Sequence, residues 1–466
     1  MHESREPSWW EIVRDALRGR HIDYTTAPIN RAVVMLAIPM VMEMIMESIF
    51  AVVDVFWVAH LGANAVATVG LTESMLTIVY TVAMGTGIGA MALVARRVGE
   101  KNEEEASRTA VQAILLSVIL SLIVGLIGGS QAKNLLRLMG ATPDVVDTGW
   151  KFTALMLGAN FTVFLLFVIN AVFRGAGDAA IAMRVLWMGN FLNIALGPCF
   201  IFGLGPFPQL GVTGAAVATN IGRGTAVLIQ LYTLTRGHSR IRVTRAQLGL
   251  DLQLMMNVLR LSGSTMLQIF INTSSYVAIV RLISTFGSAA LAGYTIGIRM
   301  ILFALLPSWG LSNAAATLVG QNLGAKEPDR AEKAVWQAVR YNMLFLGSIS
   351  VTFVLGAHQL VAQFTTEPEV ARHAVACLRI VAAGFIFYAV GMVITQSFNG
   401  AGDTWTPTMI NLFIFWIFEI PLAYVLSHYT SLGAYGIFSA LAIAFSILAV
   451  VSGVIFRRGK WKKKQV

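Results

Sequence analysis

The chain has 466 residues, of which 56% are hydrophobic and only 12% charged, with a net charge of +10 and a mean hydropathy of +0.70. A soluble domain of this length cannot hide that much apolar surface, so the composition points to the membrane and away from a nucleic-acid-binding face. The two cysteines, Cys199 and Cys377, lie in apolar stretches and suggest neither a disulfide framework nor a metal motif.

Residues 1–30 form a polar, charged amino-terminal segment rather than a signal peptide. Within it "SWWEIVRDAL" places Trp9, Trp10, Val13 and Leu17 on one helical side with Arg14 and Asp15 turned away, the pattern of a short helix lying on the cytoplasmic interface. Twelve apolar stretches come next, each near the roughly 20 residues a crossing requires. They run over about 32–59, 67–92, 109–129, 148–172, 181–204, 212–235, 259–285, 290–318, 336–356, 371–397, 405–427 and 434–456. Pro39, Pro198, Pro307, Pro407 and Pro421 fall in or beside them, as membrane helices tolerate. Most of the 34 Lys and Arg lie in the amino-terminal segment (Arg5, Arg14 and Arg18 among them), in alternate loops and in the tail. By the positive-inside rule both termini are cytoplasmic, which needs an even number of spans. Arg223, Arg281 and Arg299 fall inside spans, and Arg174 in a cytoplasmic link.

"FRGAGD" at 173–178 returns as "FNGAGD" at 398–403, an offset of 225 residues. The same offset pairs Gly62 with Gly287, Met75 with Met300, Lys101 with Lys326 and Pro143 with Pro368. "VG" at 98–99 pairs with "VG" at 319–320 if four residues are inserted. Each half therefore holds six spans, and both halves enter the membrane in the same sense, a parallel repeat of the kind that builds alternating-access transporters. The expected fold is an all-α integral membrane protein of twelve helices in two pseudo-symmetric six-helix bundles. The expected domains are an N-lobe over 31–235, a cytoplasmic linker over 236–258, a C-lobe over 259–456 and a basic cytoplasmic tail over 457–466. In the doubled motif the glycines allow a tight turn of positive φ, and Asp178 and Asp403 stand where they would cap the next helix.

Five acids fall inside spans: Glu43, Glu47, Asp54, Glu73 and Glu419. Ionisable groups in the hydrocarbon are costly and mark function. Glu43, Glu47 and Asp54 lie within roughly 40° of one another over roughly 16 Å of the first span, so this stripe faces a wet cavity, binds cations or holds protons. Met40, Met42, Met44 and Met46 surround it with adaptable apolar surface. Asn160, Asn170 and Gln396 are polar candidates in spans 4 and 10. No Walker loop or metal-ligand spacing appears, which disfavours an ATP-driven pump and an enzyme.

"VARRVGEKNEEEA", "LSNAAATLVGQNLGA", "VVDVFWVAHLG" and the doubled "GAGD" together resemble the multidrug and toxic compound extrusion (MATE) family over about residues 20–455. The resemblance implies a multi-pass plasma-membrane antiporter, sufficient as a monomer, that exports cationic or amphipathic compounds as H⁺ or Na⁺ enters, without cofactor or nucleic acid. Asp54 matches the family's first-span aspartate. Of the family's fifth-span "N-x-x-x-D-P", this chain keeps Asn193 but has Gly197 for the aspartate; Thr219 fits the sixth-span threonine. The missing acid tilts the coupling ion toward H⁺ and leaves Glu47 or Glu43 to supply the carboxylate. Where other branches carry acids in spans 7 and 10, this chain shows Gln268, Asn272 and Tyr388, so ion coupling is not expected in the second lobe. Glu419 is left to pair with an arginine or to contact substrate, and Arg299 reads as a structural partner. The alternative is a flippase or exporter of a lipid-linked or natural metabolite, although such a protein would want a basic cavity.

Overall fold

The computed structural model describes residues 8–236 and 239–465. Arg5 with the rest of residues 1–7, residues 237–238 of the expected linker, and Val466 lie outside the described residues. All regular structure among the described residues is helical. Helix α1 (Trp9–Arg18) carries the amphipathic pattern, with Ala16 buried and Trp9 and Trp10 exposed. Then come α2 (Ile29–Ala59), α3 (Ala63–Gly99), α4 (Glu103–Ser130), the short α5 (Ala132–Leu138), α6 (Pro143–Gly158), α7 (Phe161–Ala176), α8 (Ala179–Phe202) and α9 (Val212–Arg236). The second half holds α10 (Leu252–Ser284), α11 (Ser288–Gly324), α12 (Pro328–Val361), α13 (Pro368–Ala383), α14 (Phe385–Gly400), α15 (Trp405–Asn411), a π-helical stretch (Leu412–Glu419), α16 (Ile420–His428) and α17 (Ala434–Arg457).

Each of the twelve predicted spans has its helix. Ten are long and apolar enough to cross a membrane, eleven when α13 and α14, bent by 56° at Gly384, count as one span. The one outside that set is α9, because Thr219, Arg223 and Gln230 lower its hydropathy; all three are buried, while Leu228 and Tyr232 are exposed. The π stretch ends two residues before Pro421. Proline has no N–H for the carbonyl four residues back, and the helical ladder widens just ahead of it.

The chain divides into two compact units, one built mainly from Ile22–Val41 with Leu267–Val466, the other from Met42–Met266 with Arg14–His21. Helices α2 and α10 thus each give their first part to one unit and their second part to the other. In the Met42–Met266 unit, α3 packs on α4, α6 and α7, and α9 on α8, α6 and α7. In the other, α11 packs on α12, α13 and α14, and α17 on α14, α13 and α16.

The duplication is visible in the helix bounds and the backbone angles. Helices α3 and α11 each run 37 residues, with starts and ends 225 apart, so Gly99 corresponds to Gly324 and the four-residue insertion at "VG" is not needed. Gly62 and Gly287 precede them at φ 94° and 98°. Lys101 and Lys326 are the two non-glycine residues of positive φ among the described residues, at 58° and 62°.

The doubled motif divides its labour between its two glycines. Gly177 and Gly402 take the expected left-handed turn, at φ 88° and 80°. Gly175 and Gly400 serve packing instead: a Cβ on Gly175 would lie 2.7 Å from the Met91 carbonyl oxygen, and one on Gly400 would come closer still to that of Ala316. Those two carbonyls are themselves 225 residues apart, so the motif lets α7 approach α3 and α14 approach α11 at closest range. The expected capping by the motif's acids does not occur. Asp178 sits at the N-cap of α8 without bonding its free N–H groups, and Thr404 takes the N-cap of α15. Asp178 is held instead by Ser239 and Arg240, and Asp403 by the Thr406 hydroxyl of α15 and by Lys464.

Candidate functional site

The acidic stripe on α2 resolves into two centres, both within the Met42–Met266 unit. At the first, Glu43 is 2% exposed. Its Oε1 accepts hydrogen bonds from Asn170 Nδ2 at 3.0 Å and from Arg174 Nη1 at 2.9 Å, while its Oε2 has no hydrogen-bond partner. Asn170 and Arg174 are four residues apart and so share one face of α7. Gln230 of α9 completes the network, its Nε2 donating to Asn170 Oδ1 at 2.6 Å and to the Leu166 carbonyl at 3.3 Å. The charge of Glu43 is thereby matched inside the protein by a guanidinium.

The second centre lies along the same stripe. Glu47 and Asp54 are half-buried, and both have Arg223 of α9 as their basic neighbour. Arg223 is 9% exposed and donates from Nη2 to Tyr80 Oη at 3.0 Å. Its guanidinium carbon stands 5.9 Å from the Phe50 ring centroid and 5.8 Å from that of Tyr80, within range of cation–π attraction. Asn190 of α8 stands beside Glu47. Glu73, exposed on α3, is an electrostatic neighbour of Asp54.

Asn193 and Thr219 are brought together, Asn193 Nδ2 donating to Thr219 Oγ1 at 2.8 Å, and Thr219 in turn donating to the Ala215 carbonyl at 2.9 Å. Gly197 leaves open space: a Cβ there would meet Trp57 Cδ1 at 3.8 Å and nothing closer, and the buried Trp57 Nε1 has no partner. A side chain is missing at this position, but room for it is not.

Of the methionines, Met40 and Met46 are buried packing residues; Met42 and Met44 are half-buried, and the Met42 carbonyl accepts a hydrogen bond from Trp187 Nε1 at 3.0 Å. Asn160 stands at the break between α6 and α7, fully buried, with neither amide atom partnered. The second-half candidates belong to the other compact unit and scatter over three elements. On α10, Gln268 is buried with its Oε1 unpartnered and Asn272 is exposed. On α14, Tyr388 packs its ring 4.3 Å from Phe445, and Gln396 accepts from Asn399 Nδ2 at 2.7 Å. Glu419, at the end of the π stretch, is 4% exposed, and its polar neighbours are the phenols Tyr294 and Tyr388 rather than an arginine. Arg299 is exposed and neighbours Tyr276.

The sequence assigns no site role to Arg174 and Arg223, which it places only in a link and a span, and does not single out Tyr80, Asn190 or Gln230. Two carried a usable signal. Arg174 comes four residues after Asn170 and Arg223 four after Thr219, so each shares a helix face with a residue already singled out.

An all-helical, duplicated membrane protein with ionisable centres buried in its first half belongs to the class of polytopic transporters. The chain belongs to the MatE family, whose model matches it twice, over residues 39–199 and 265–425. It is 27% identical to the probable multidrug resistance protein YoeA of Bacillus subtilis over 94% of this chain and 95% of that one. It is 24% identical to an FAD transporter of Shewanella oneidensis over 95% of this chain and 97% of that one. Among solved structures, a MOP superfamily transporter from Pyrococcus furiosus, whose binding pocket of reversed polarity is taken to suggest a different function, superposes with a TM-score of 0.88 at 25% identity, covering 97% of this chain and 98% of that chain.

Proposed function

We propose that this MATE transporter exports cationic or amphipathic compounds in exchange for protons, working by alternating access in the plasma membrane with both termini cytoplasmic. The observation that carries the reading is the second centre, two half-buried carboxyl groups, Glu47 and Asp54, with the Tyr80-bound guanidinium of Arg223 as their common electrostatic neighbour. A desolvated Na⁺ wants several oxygen ligands. Gly197 adds no side-chain oxygen, and Thr219 Oγ1 is already engaged, accepting from Asn193 Nδ2 and donating to the Ala215 carbonyl. A proton needs one carboxyl oxygen, which Asp54 and Glu47 supply. Proton and drug then act on one set of acids, and each shifts the conformational equilibrium by its differential affinity for the two states. Glu43, matched by Arg174, serves as structure in this scheme.

The test uses proteoliposomes holding wild type or Asp54→Asn with a fluorescent cationic dye. Dye movement under a pH gradient alone, lost in the variant, is the expected outcome. Movement that requires a Na⁺ gradient refutes the proton.

A second reading has its own support. The relatives include an FAD transporter and a transporter of reversed pocket polarity, and Arg223 puts a positive charge among the acids. Export of a metabolite that carries an anionic group follows from that reading. Dye stationary under both gradients, with accumulation of a flavin nucleotide, would select it.

A further inference from the structure

We propose that Arg223 is a specificity-determining residue: its guanidinium is a tethered cation that occupies the site Glu47 and Asp54 would offer to an organic cation, and a cationic ligand binds by displacing it. The proposal rests on the cation-export reading above and says what sets its selectivity.

Three observations place the guanidinium there. Glu47, Phe50 and Asp54 stand at i, i+3 and i+7, so α2 presents acid, aromatic ring and acid along one face. Arg223 lies against that face, 9% exposed, with a ring on α2 and a ring on α3 each within 6 Å of its guanidinium carbon. Its Nη2 is tied to Tyr80 Oη at 3.0 Å, and the Tyr80 ring is itself held by Phe167, centroids 5.8 Å apart. The other polar groups beside these acids are Asn190 on α8, next to Glu47, and Glu73 on α3, next to Asp54. Carboxylates beside aromatic faces are the chemistry that recognises flat or delocalised organic cations. Here the chain supplies such a cation itself.

The arrangement has two consequences. With its guanidinium in place, the centre keeps its carboxylates compensated when no ligand is bound, which lowers the cost of burying them. A ligand must then match what Arg223 provides, a single delocalised positive charge with apolar faces. A small hydrated ion offers no such faces.

The experiment measures equilibrium binding of radiolabelled tetraphenylphosphonium to the purified, monodisperse protein. Arg223→Gln removes the competing charge and should tighten binding by about tenfold or more, the scale of one like charge at a few ångströms in a protein's effective dielectric. Arg223→Lys keeps the charge and should stay near wild type. Unchanged or weaker binding by Arg223→Gln, or equal tightening by both variants, overturns the proposal. Should Arg223→Gln aggregate, the wild type decides: guanidinium chloride must displace the probe at concentrations where sodium chloride of equal ionic strength does not, and equal displacement is a refutation. Failure of the wild type to bind the probe at all would instead remove the cation-export reading, an outcome distinct from failure of the role given to Arg223.

Discussion

Glu43 and Arg174 form a buried ion pair, with 2% and 12% of their side chains exposed. The pair's net worth is modest, because desolvation of both partners offsets most of the attraction, but removing one partner strands the other. Glu43→Gln should therefore cost about 3–5 kcal/mol. Thermal unfolding in detergent should show a clear fall in Tm for Glu43→Gln and for Arg174→Gln, and the double variant should recover part of it, as coupled neighbours do. Additive losses would mean that the two groups do not act as a pair. Asp54→Asn should behave oppositely, with Tm nearly kept and transport lost, because Asp54 is half-buried where Glu43 is sealed in against its guanidinium. Helical spacing put Glu43, Glu47 and Asp54 on one stripe, and that much was legible. The groups that the stripe meets were not, since Arg174 reads as a loop cation until α7 is seen to carry it alongside Asn170, and Arg223 is silent until α9 is rotated against α2.

At the level of elements, the doubled motif works by steric room. Gly175→Ala would push a methyl to 2.7 Å from a backbone oxygen that cannot move without its helix, and Gly400→Ala would press closer still on the Ala316 oxygen. Overpacking of this kind costs about 1–3 kcal/mol or more. Gly402→Ala, strained at φ 80°, should cost about 1 kcal/mol. The ranking Gly400→Ala, Gly175→Ala, Gly402→Ala, from worst to mildest, can be read from the yield of monodisperse protein and its Tm; a reversed order would mean the turn, and not the helix approach, is the feature the motif protects. The turn glycines were legible because positive φ is a local property. The packing glycines were not, because their reason lies at Met91 and Ala316, more than eighty residues away in sequence. The break in span 10 and the π stretch were hidden for a related cause: hydropathy reads length and apolarity, and neither records where a ladder of hydrogen bonds changes register.

Across the whole molecule the duplication extends past the last helix of each half into the segment beyond it. Asp178 accepts from Ser239 Oγ at 2.6 Å and from the Arg240 backbone N–H at 2.8 Å, and pairs with His21 at 3.4 Å and with the Arg240 side chain at 3.8 Å. Asp403 accepts from Thr406 Oγ1 at 2.7 Å and pairs with Lys464 at 3.5 Å. Ser239 and Lys464 are 225 residues apart, so in each half the motif's acid receives the segment that leaves that half's last helix. The tail adds its own anchors. Trp461 is buried and stacks on Phe456 at 4.6 Å, and Lys462 reaches Asp329 at 2.9 Å and Glu332 at 2.6 Å. Hydrogen bonding to Glu332 and then to Asp329 raises the Lys462 pKa above its ordinary 10.5. A raised cation stabilises docking fully below the unfolded pKa, and the contribution disappears only as pH climbs through the higher folded value. A spin label on a cysteine at position 463 should thus report a docked tail unchanged from pH 7 to about 10, becoming mobile above the ordinary lysine pKa. Lys462→Ala should give the mobile spectrum at every pH, and Asp403→Asn should give a partial shift. A tail that stays docked in Lys462→Ala would assign the anchoring to Trp461 rather than to the ion pairs of Lys462 with Asp329 and Glu332.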